Sequence, residues 1–247
     1  MVNAIEETNV LGTFFDNHID FYGNSDSTNK YGSTDAFFIE FIKKNTRKSV
    51  LDIGCSTGRF ISWLNYFGLD MEITALDPSK KALDGINFQN VIKIQGHLPY
   101  RIPGNSKYSY IHIQDVLHHV TGNSVNESKK MVVDSLIHMR NILTDDGFIL
   151  LGDLFYESYI FPTFTRNTIK TMLDFQNKCN IKIPFKEFIN GLDVCFYTRD
   201  EFRSMIQECN LEIIDYREWY WGNKKFKKQI LLIKRWGYMC FIIKKRA

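Results

Sequence analysis

Two groups of residues in this 247-residue chain have types and spacings suited to chemistry. The first lies in Ser49-Val-Leu-Asp-Ile-Gly-Cys-Ser-Thr-Gly-Arg-Phe60, where Asp52 stands two residues ahead of Gly54, and Cys55, Ser56 and Gly58 follow. An apolar run with Val50 and Ile53 leads into this small-residue turn, and the periodic pattern Phe60, Ile61, Trp63, Leu64, Phe67 leads out. Strand, tight loop and helix are expected, with backbone N–H groups presented to a polar or anionic ligand group at the helix N-terminus. A dehydrogenase loop would read Gly-x-Gly-x-x-Gly. A carboxylate at position 52 suits an ammonium group better than a pyrophosphate. The second group is Leu117-His118-His119-Val120 together with Asp153. A neutral imidazole oriented by a carboxylate can take the proton of a hydroxyl as that hydroxyl attacks an electrophile. The plainer account is that one or both histidines cap or underpin a helix. His18, His112 and His138 fall on predicted helix or strand faces and read as structural.

The elements that must position these residues alternate at crossover spacing. Strands are expected at 49–53, 71–77, 91–95, 108–114 and 148–154, separated by helical patterns of which 125–143 is the longest. That order predicts an α/β fold with a doubly wound, mostly parallel sheet, whose ligands lie beyond the carboxyl ends of the strands. Asp52, Asp77, His97, Gln114 with Asp115, and Asp153 all fall at those ends. Further strands at 211–215 and 237–243, with a helix opening at Thr198-Arg-Asp-Glu201, bring the sheet to seven. Residues 1–48 read as an N-terminal helical cap: one helix through Val10 to Ile19, a turn-rich loop, and a second helix opening at Ser33-Thr-Asp35. Residues 49–247 form the main domain. The aromatic-rich stretch 155–197, with Tyr156, Tyr159, Phe161, Phe164, Phe175, Phe185 and Phe188, departs from the repeat as a helical insert.

The acid-x-Gly loop resembles the first motif of the class I S-adenosylmethionine-dependent methyltransferases, which runs acid-x-Gly-x-Gly-x-Gly; Ser56 replaces its middle glycine. The resemblance covers residues 49–154 well and the last two strands more loosely. It implies a Rossmann-like seven-stranded sheet with the last strand antiparallel. It implies that Gly54, Cys55, Ser56 and Gly58 wrap the methionine part of S-adenosyl-L-methionine, near Asp52, and that Asp77, followed by Pro78, accepts the ribose hydroxyls. Gly96 and His97 take the place where family members often carry an acid for the adenine amine, and Gln114 and Asp115 complete the cofactor shell. Leu117-His118-His119 resembles a stretch of small-molecule methyltransferases, and in some sugar O-methyltransferases a histidine there and an acid matching Asp153 deprotonate the acceptor. The insert 155–197 would then roof a small-molecule acceptor with apolar surface, such as a sugar, lipid-linked or aromatic metabolite; an oligomer contact, in the simplest case a homodimer, explains it equally.

Composition sets the outer limits. Hydrophobic and charged fractions of 44% and 24% are those of an ordinary globular protein, so a substantial core is expected. Five cysteines (Cys55, Cys179, Cys195, Cys209, Cys240) without Cys-x-x-Cys pairing support neither a disulfide framework nor a metal site. With no signal-like or membrane-spanning run, a cytoplasmic protein is expected. The net charge of +3 is uneven: from Trp219 onward there are nine Lys/Arg and no Asp/Glu, leaving 22 basic and 28 acidic residues elsewhere. Residues 223–236 can be drawn as a basic amphipathic helix suited to an anionic membrane surface, although a solvated domain edge is the plainer account. Two rival functions follow. RNA methylation would use that basic stretch as a phosphate footprint, but no Asn/Asp-Pro-Pro-aromatic motif follows strand four, so no nucleic-acid partner is expected. The other rival is a cofactor-binding regulator that transfers nothing.

Overall fold

Short apolar runs buried on both faces need helices above and below them, and the computed structural model supplies both layers. The structure describes residues 4–19, 32–104, 106–179, 193–221 and 231–246. Helices α1 (Ala4–Asn17) and α2 (Ser33–Lys44) lead into β1 (Ser49–Ile53), α3 (Arg59–Tyr66), β2 (Glu72–Asp77), α4 (Lys80–Asp84), β3 (Val91–Gln95) and β4 (Tyr108–Gln114). A 3₁₀ turn at Leu117–His119, α5 (Val125–Ile142), β5 (Leu143–Ser158), α6 (Phe164–Cys179), α7 (Arg199–Glu208), β6 (Leu211–Tyr220) and β7 (Ile233–Lys245) follow.

The strands form a seven-stranded sheet in the order β3-β2-β1-β4-β5-β7-β6. Neighbours among β1 to β5 pair in parallel, and β7 runs antiparallel between β5 and β6. Alternation along each strand divides the core. Val50, Tyr110 and Leu150 pack with Phe38 of α2 and Phe60 and Leu64 of α3, while Leu51, Ile111 and Leu151 pack with Leu136 and Met139 of α5 and Phe202 of α7. The strand order turns back at β1 and β4, and the crevice at that switch point is where a ligand is expected.

The last three strands are longer than their hydrophobic patterns predict. β5 extends to Ser158, β6 to Tyr220, and β7 begins at Ile233, because they pair antiparallel far beyond the parallel part of the sheet, from Phe155↔Gly237 to Ser158↔Ile233. The apolar pattern breaks where charges enter, and those charges pair with one another: Arg199 meets Glu157 at 2.7 Å and Glu218 at 2.8 Å, and Arg235 meets Glu157 at 2.8 Å. Two expectations change accordingly. Residues 155–158, drawn as the start of the insert, belong to β5, and Ile233–Trp236, drawn as the end of a basic helix, belong to β7 with Ile233 and Trp236 buried. The rest of that basic stretch, 223–230, and Phe185 and Phe188 lie outside the described residues. No helix among the described residues is long and apolar enough to cross a membrane.

Candidate functional site

A cavity of about 740 Å³ opens at the carboxyl ends of β1, β2 and β4, within the range of ligand pockets. Its lining includes Asp52, Gly54, Cys55, Ser56, Asp77, Pro78, Gly96, His97, Gln114, Asp115, His118 and His119. Strand ends and their following turns bring these residues together from the stretch between Asp52 and His119. Two expected residues are absent from the lining. Gly58 sits behind the loop: its N–H closes the turn onto Cys55 O at 2.9 Å, and its left-handed φ of 85° starts α3. Asp153 is fully buried beneath His118.

The loop after β1 is shaped by close approach. Gly54 has φ 68°, and a Cβ there would run into Val116. Ser56, the replaced glycine, also takes a left-handed φ of 48°, a conformation that costs an L-residue energy. Its N–H donates to Asp77 Oδ2 at 2.8 Å, and Ser79 N–H donates to Asp77 Oδ1 at 2.8 Å. Each carboxylate oxygen keeps a second lone pair, so a diol can still be accepted. Burial pushes the Asp77 pKa up to about 6, although these two N–H groups pull the other way. The Cys55 thiol in the same loop is raised well above its ordinary value by burial and by Asp77 and Asp52.

Three buried polar atoms at the β1/β4 end of the cavity have no hydrogen-bond partner among the described residues: Asp52 Oδ2, Gln114 Oε1 and His112 Nε2. Unpaired buried polar atoms are costly. Two of these are obligate acceptors, and an amino group would satisfy them. Arg59, anchored on Asp35 at 3.4 Å, also lines the cavity and offers a cation for a carboxylate. The donor set therefore fits an amino-acid-bearing nucleoside: acceptors for the amine, a guanidinium for the carboxylate, and Asp77 for the ribose. At His97 the Nδ1–H donates to Leu98 O at 2.9 Å, which makes Nε2 of the neutral ring an acceptor, the polarity an adenine amine requires.

At the other end stands a second constellation. His118 Nδ1–H donates to Asp153 Oδ1 at 2.6 Å, and its backbone N–H donates to Asp153 Oδ2 at 3.2 Å. Phe196 stacks on the ring at 5.2 Å, and Cys195 N–H bonds His118 O at 2.8 Å, so the chain returning from the insert supports this residue. Burial alone would lower the His118 pKa; the charge of Asp153, the hydrogen bond to it and the charge of Asp115 outweigh burial and leave it raised. His119 goes the other way, held well below its ordinary value by burial and by His118. Asp115, in a left-handed conformation at φ 57°, is raised to about 6 by burial and by Asp153.

The outer wall differs from expectation. None of the described residues of 155–197 lines the cavity; Leu11, Phe15 and Ile19 of the N-terminal segment, with Leu154 and Trp221, do so. Helix α1 is fixed there by Asp16, which accepts from Ser79 Oγ and, at 3.1 Å, from Lys81 N. The sequence pattern also missed Arg59 and His112. Strand alternation offered a signal for the latter, since His112 shares a face with Gln114 two residues on.

The family model described as a methyltransferase domain matches residues 32–216. An uncharacterized methyltransferase of Staphylococcus carnosus (strain TM300) is 33% identical over 110 residues, 44% of this chain; the chain thus spans about half, 48%, of that protein's length. Among solved structures, the CcbJ methyltransferase from Streptomyces caelestis superposes with a TM-score of 0.61 at 13% identity, over 95% of this chain and 98% of that one. The 1,6-didemethyltoxoflavin-N1-methyltransferase of Burkholderia thailandensis, with 1,6-didemethyltoxoflavin and S-adenosylhomocysteine bound, superposes with a TM-score of 0.59 at 13% identity, over 100% of this chain and 92% of that one. At such identities the two structures show a shared fold.

Proposed function

The chain belongs to the methyltransferase domain family, and from that premise we propose that it moves a methyl group from S-adenosyl-L-methionine to a hydroxyl of a small molecule, with His118 as general base. The observation that carries the reading is the 2.6 Å bond between His118 Nδ1 and Asp153, at the edge of the cavity whose other end carries Asp77 and the unpaired acceptors. S-adenosyl-L-methionine, when bound, supplies a methyl group already activated by a sulfonium. The protein's own residues do the rest. Asp77 takes the ribose hydroxyls, Asp52 and Gln114 the amino group, Arg59 the carboxylate and His97 Nε2 the adenine amine. Asp153 accepts the Nδ1 proton of His118, which turns Nε2 into the proton acceptor and keeps the ring oriented. A hydroxyl placed against Nε2 loses its proton to it as the oxygen attacks, and alignment within the cavity lowers much of the remaining barrier.

A small acceptor is favoured because His118 is buried, at 6% exposure, and lines the cavity. The apolar wall of Phe15, Val120, Leu154 and Trp221 suits an acceptor with an apolar part. The Burkholderia enzyme of the same fold has a small molecule as its ligand. The test is incubation of the protein with methyl-labelled S-adenosylmethionine and fractionated cell extract, followed by mass analysis. A small molecule that gains one methyl on oxygen is the expected product. Label found only in RNA or protein, or in no fraction, overturns the reading.

A further inference from the structure

The reading above leaves His112 without a role, yet its ring is held on three sides. Register sets it opposite Asp52 in the parallel β1/β4 pair, so both side chains leave the same face of the sheet at one level. Its Nδ1–H donates to Asp52 Oδ1 at 2.6 Å. Phe60, the second residue of the helix that follows the cofactor loop, stacks on one side of the ring at 3.6 Å and 10°, and Phe38 of α2 meets it edge-on at 5.5 Å. The stack, the edge-on ring and the hydrogen bond together hold the imidazole, and through it Oδ1 of Asp52. What remains of the pair toward the cavity is Asp52 Oδ2 and His112 Nε2, both buried and both without a hydrogen-bond partner among the described residues.

We infer that His112 is a positioning residue for the methyl donor: by fixing Oδ1 of Asp52 it turns Oδ2 toward the donor's ammonium group. The inference rests on the cofactor reading above and adds to it a division of labour within one carboxylate. A buried carboxylate with one oxygen satisfied and the other bare is a strong and directional acceptor for a cation, because the bare oxygen has no water or protein donor to give up. The ring contributes by polarity as well. With its proton on Nδ1, Nε2 is an acceptor, so the face turned to the ammonium carries no N–H to repel it. Without His112, Asp52 would have two oxygens to satisfy and a free χ1 and χ2, and its preference for one orientation would be lost.

The test uses two ligands that differ in the part His112 is said to serve. S-adenosylhomocysteine carries the amino-acid arm; 5′-methylthioadenosine has the same nucleoside and sulfur without it. Titration calorimetry of the intact chain would compare wild type, His112→Phe, which keeps the stack on Phe60 but has no donor, and His112→Asn, whose amide nitrogen can take the place of Nδ1. His112→Phe is expected to weaken S-adenosylhomocysteine about tenfold to a hundredfold, the worth of a hydrogen bond to a charged group, and to leave 5′-methylthioadenosine unchanged within about twofold. His112→Asn should recover most of the loss. In an Asp52→Asn background the His112→Phe change should cost almost nothing further. Equal losses for both ligands, no loss for either, no recovery in His112→Asn, or additive losses with Asp52→Asn would each overturn the inference. If the wild-type protein binds neither ligand, the cofactor reading itself falls; wild-type binding with any of the four results above removes only the role of His112.

Discussion

Asp153 accepts twice from one residue: its Oδ1 from the ring Nδ1–H of His118 and its Oδ2 from the backbone N–H of the same histidine. The carboxylate is wholly buried, so both oxygens act on His118 and neither reaches an acceptor in the cavity. This fixes the ring, selects the tautomer with a bare Nε2 and raises the basicity of that nitrogen. The consequence can be measured in several independent ways.

Removing the base should separate chemistry from binding. His118→Ala is expected to reduce kcat by about 10²- to 10⁴-fold, the usual contribution of a positioned base, with the affinity for S-adenosylhomocysteine unchanged. Asp153→Asn should show the same pattern. His119→Ala should cost less, because burial and the neighbouring His118 make its ring the poorer base. Equal losses at the two histidines, measured by single-turnover methyl transfer, would refute the assignment.

The pH dependence has a definite sign. A general base works in its neutral form, and His118 is raised above the ordinary 6.5 by Asp153 and Asp115 despite its burial. Turnover at saturating donor should therefore be full at alkaline pH and fall as pH drops through a midpoint above 6.5, tenfold per unit below it. Asp153→Asn removes the largest raising influence and should move that midpoint to lower pH. A limb that stays in place contradicts the dyad.

Donor binding should respond to a different group. Asp77 titrates near 6 in the free protein, where burial opposes its charge, and only its ionised form can accept both ribose hydroxyls. Affinity for S-adenosylhomocysteine should be constant above pH 6 and decline as pH falls through about 6. Asp77→Ala should reduce the dependence, leaving at most the part that Asp115 supplies, and weaken binding at all pH values. Calorimetric titrations across pH 5 to 8 would show it.

Ser56 carries left-handed strain in the loop. Ser56→Gly should relieve it and raise stability by about 1 kcal/mol, net of the added chain entropy of glycine, which for a chain of this size is a rise in Tm of roughly 2–4 °C. A lower Tm would show that the serine hydroxyl contributes more than the backbone loses.

Helix α1 closes the donor end through Asp16, which holds Ser79 and Lys81 at the start of α4. Asp16→Ala removes both bonds and is expected to speed dissociation of S-adenosylhomocysteine by up to about thirtyfold, from a net 1 kcal/mol or so per bond. An unchanged dissociation rate in stopped-flow chase experiments would show that the donor does not leave past α1.

The parts of this design that are legible in the sequence are local ones. The β1 loop declares itself because Asp52, Gly54 and the helix pattern after Phe60 lie within nine residues, and the strand ends declare Asp77, His97 and Gln114 because parallel strands stop abruptly. What is hidden is hidden by distance. His112 reads as an ordinary strand residue until its partner sixty positions earlier is brought beside it. Glu157, Glu218 and Arg235 lie beyond the apolar patterns of their strands and Arg199 at a helix start, yet the four pair with one another at the polar outer end of the β5–β7 ribbon. The wall built by Leu11, Phe15 and Trp221 joins opposite ends of the chain, and no short-range pattern announces such a meeting.

Cys55 gives the donor loop a further property. A thiolate is a far better nucleophile toward a sulfonium than any alcohol, so a reactive cysteine beside a methyl donor would consume it and cap itself with a thioether. Burial keeps this sulfur protonated, and the negative charges of Asp77 and Asp52 reinforce it. The carboxylates proposed to seat the donor are thus the same ones that hold the neighbouring thiol in its less nucleophilic, protonated form.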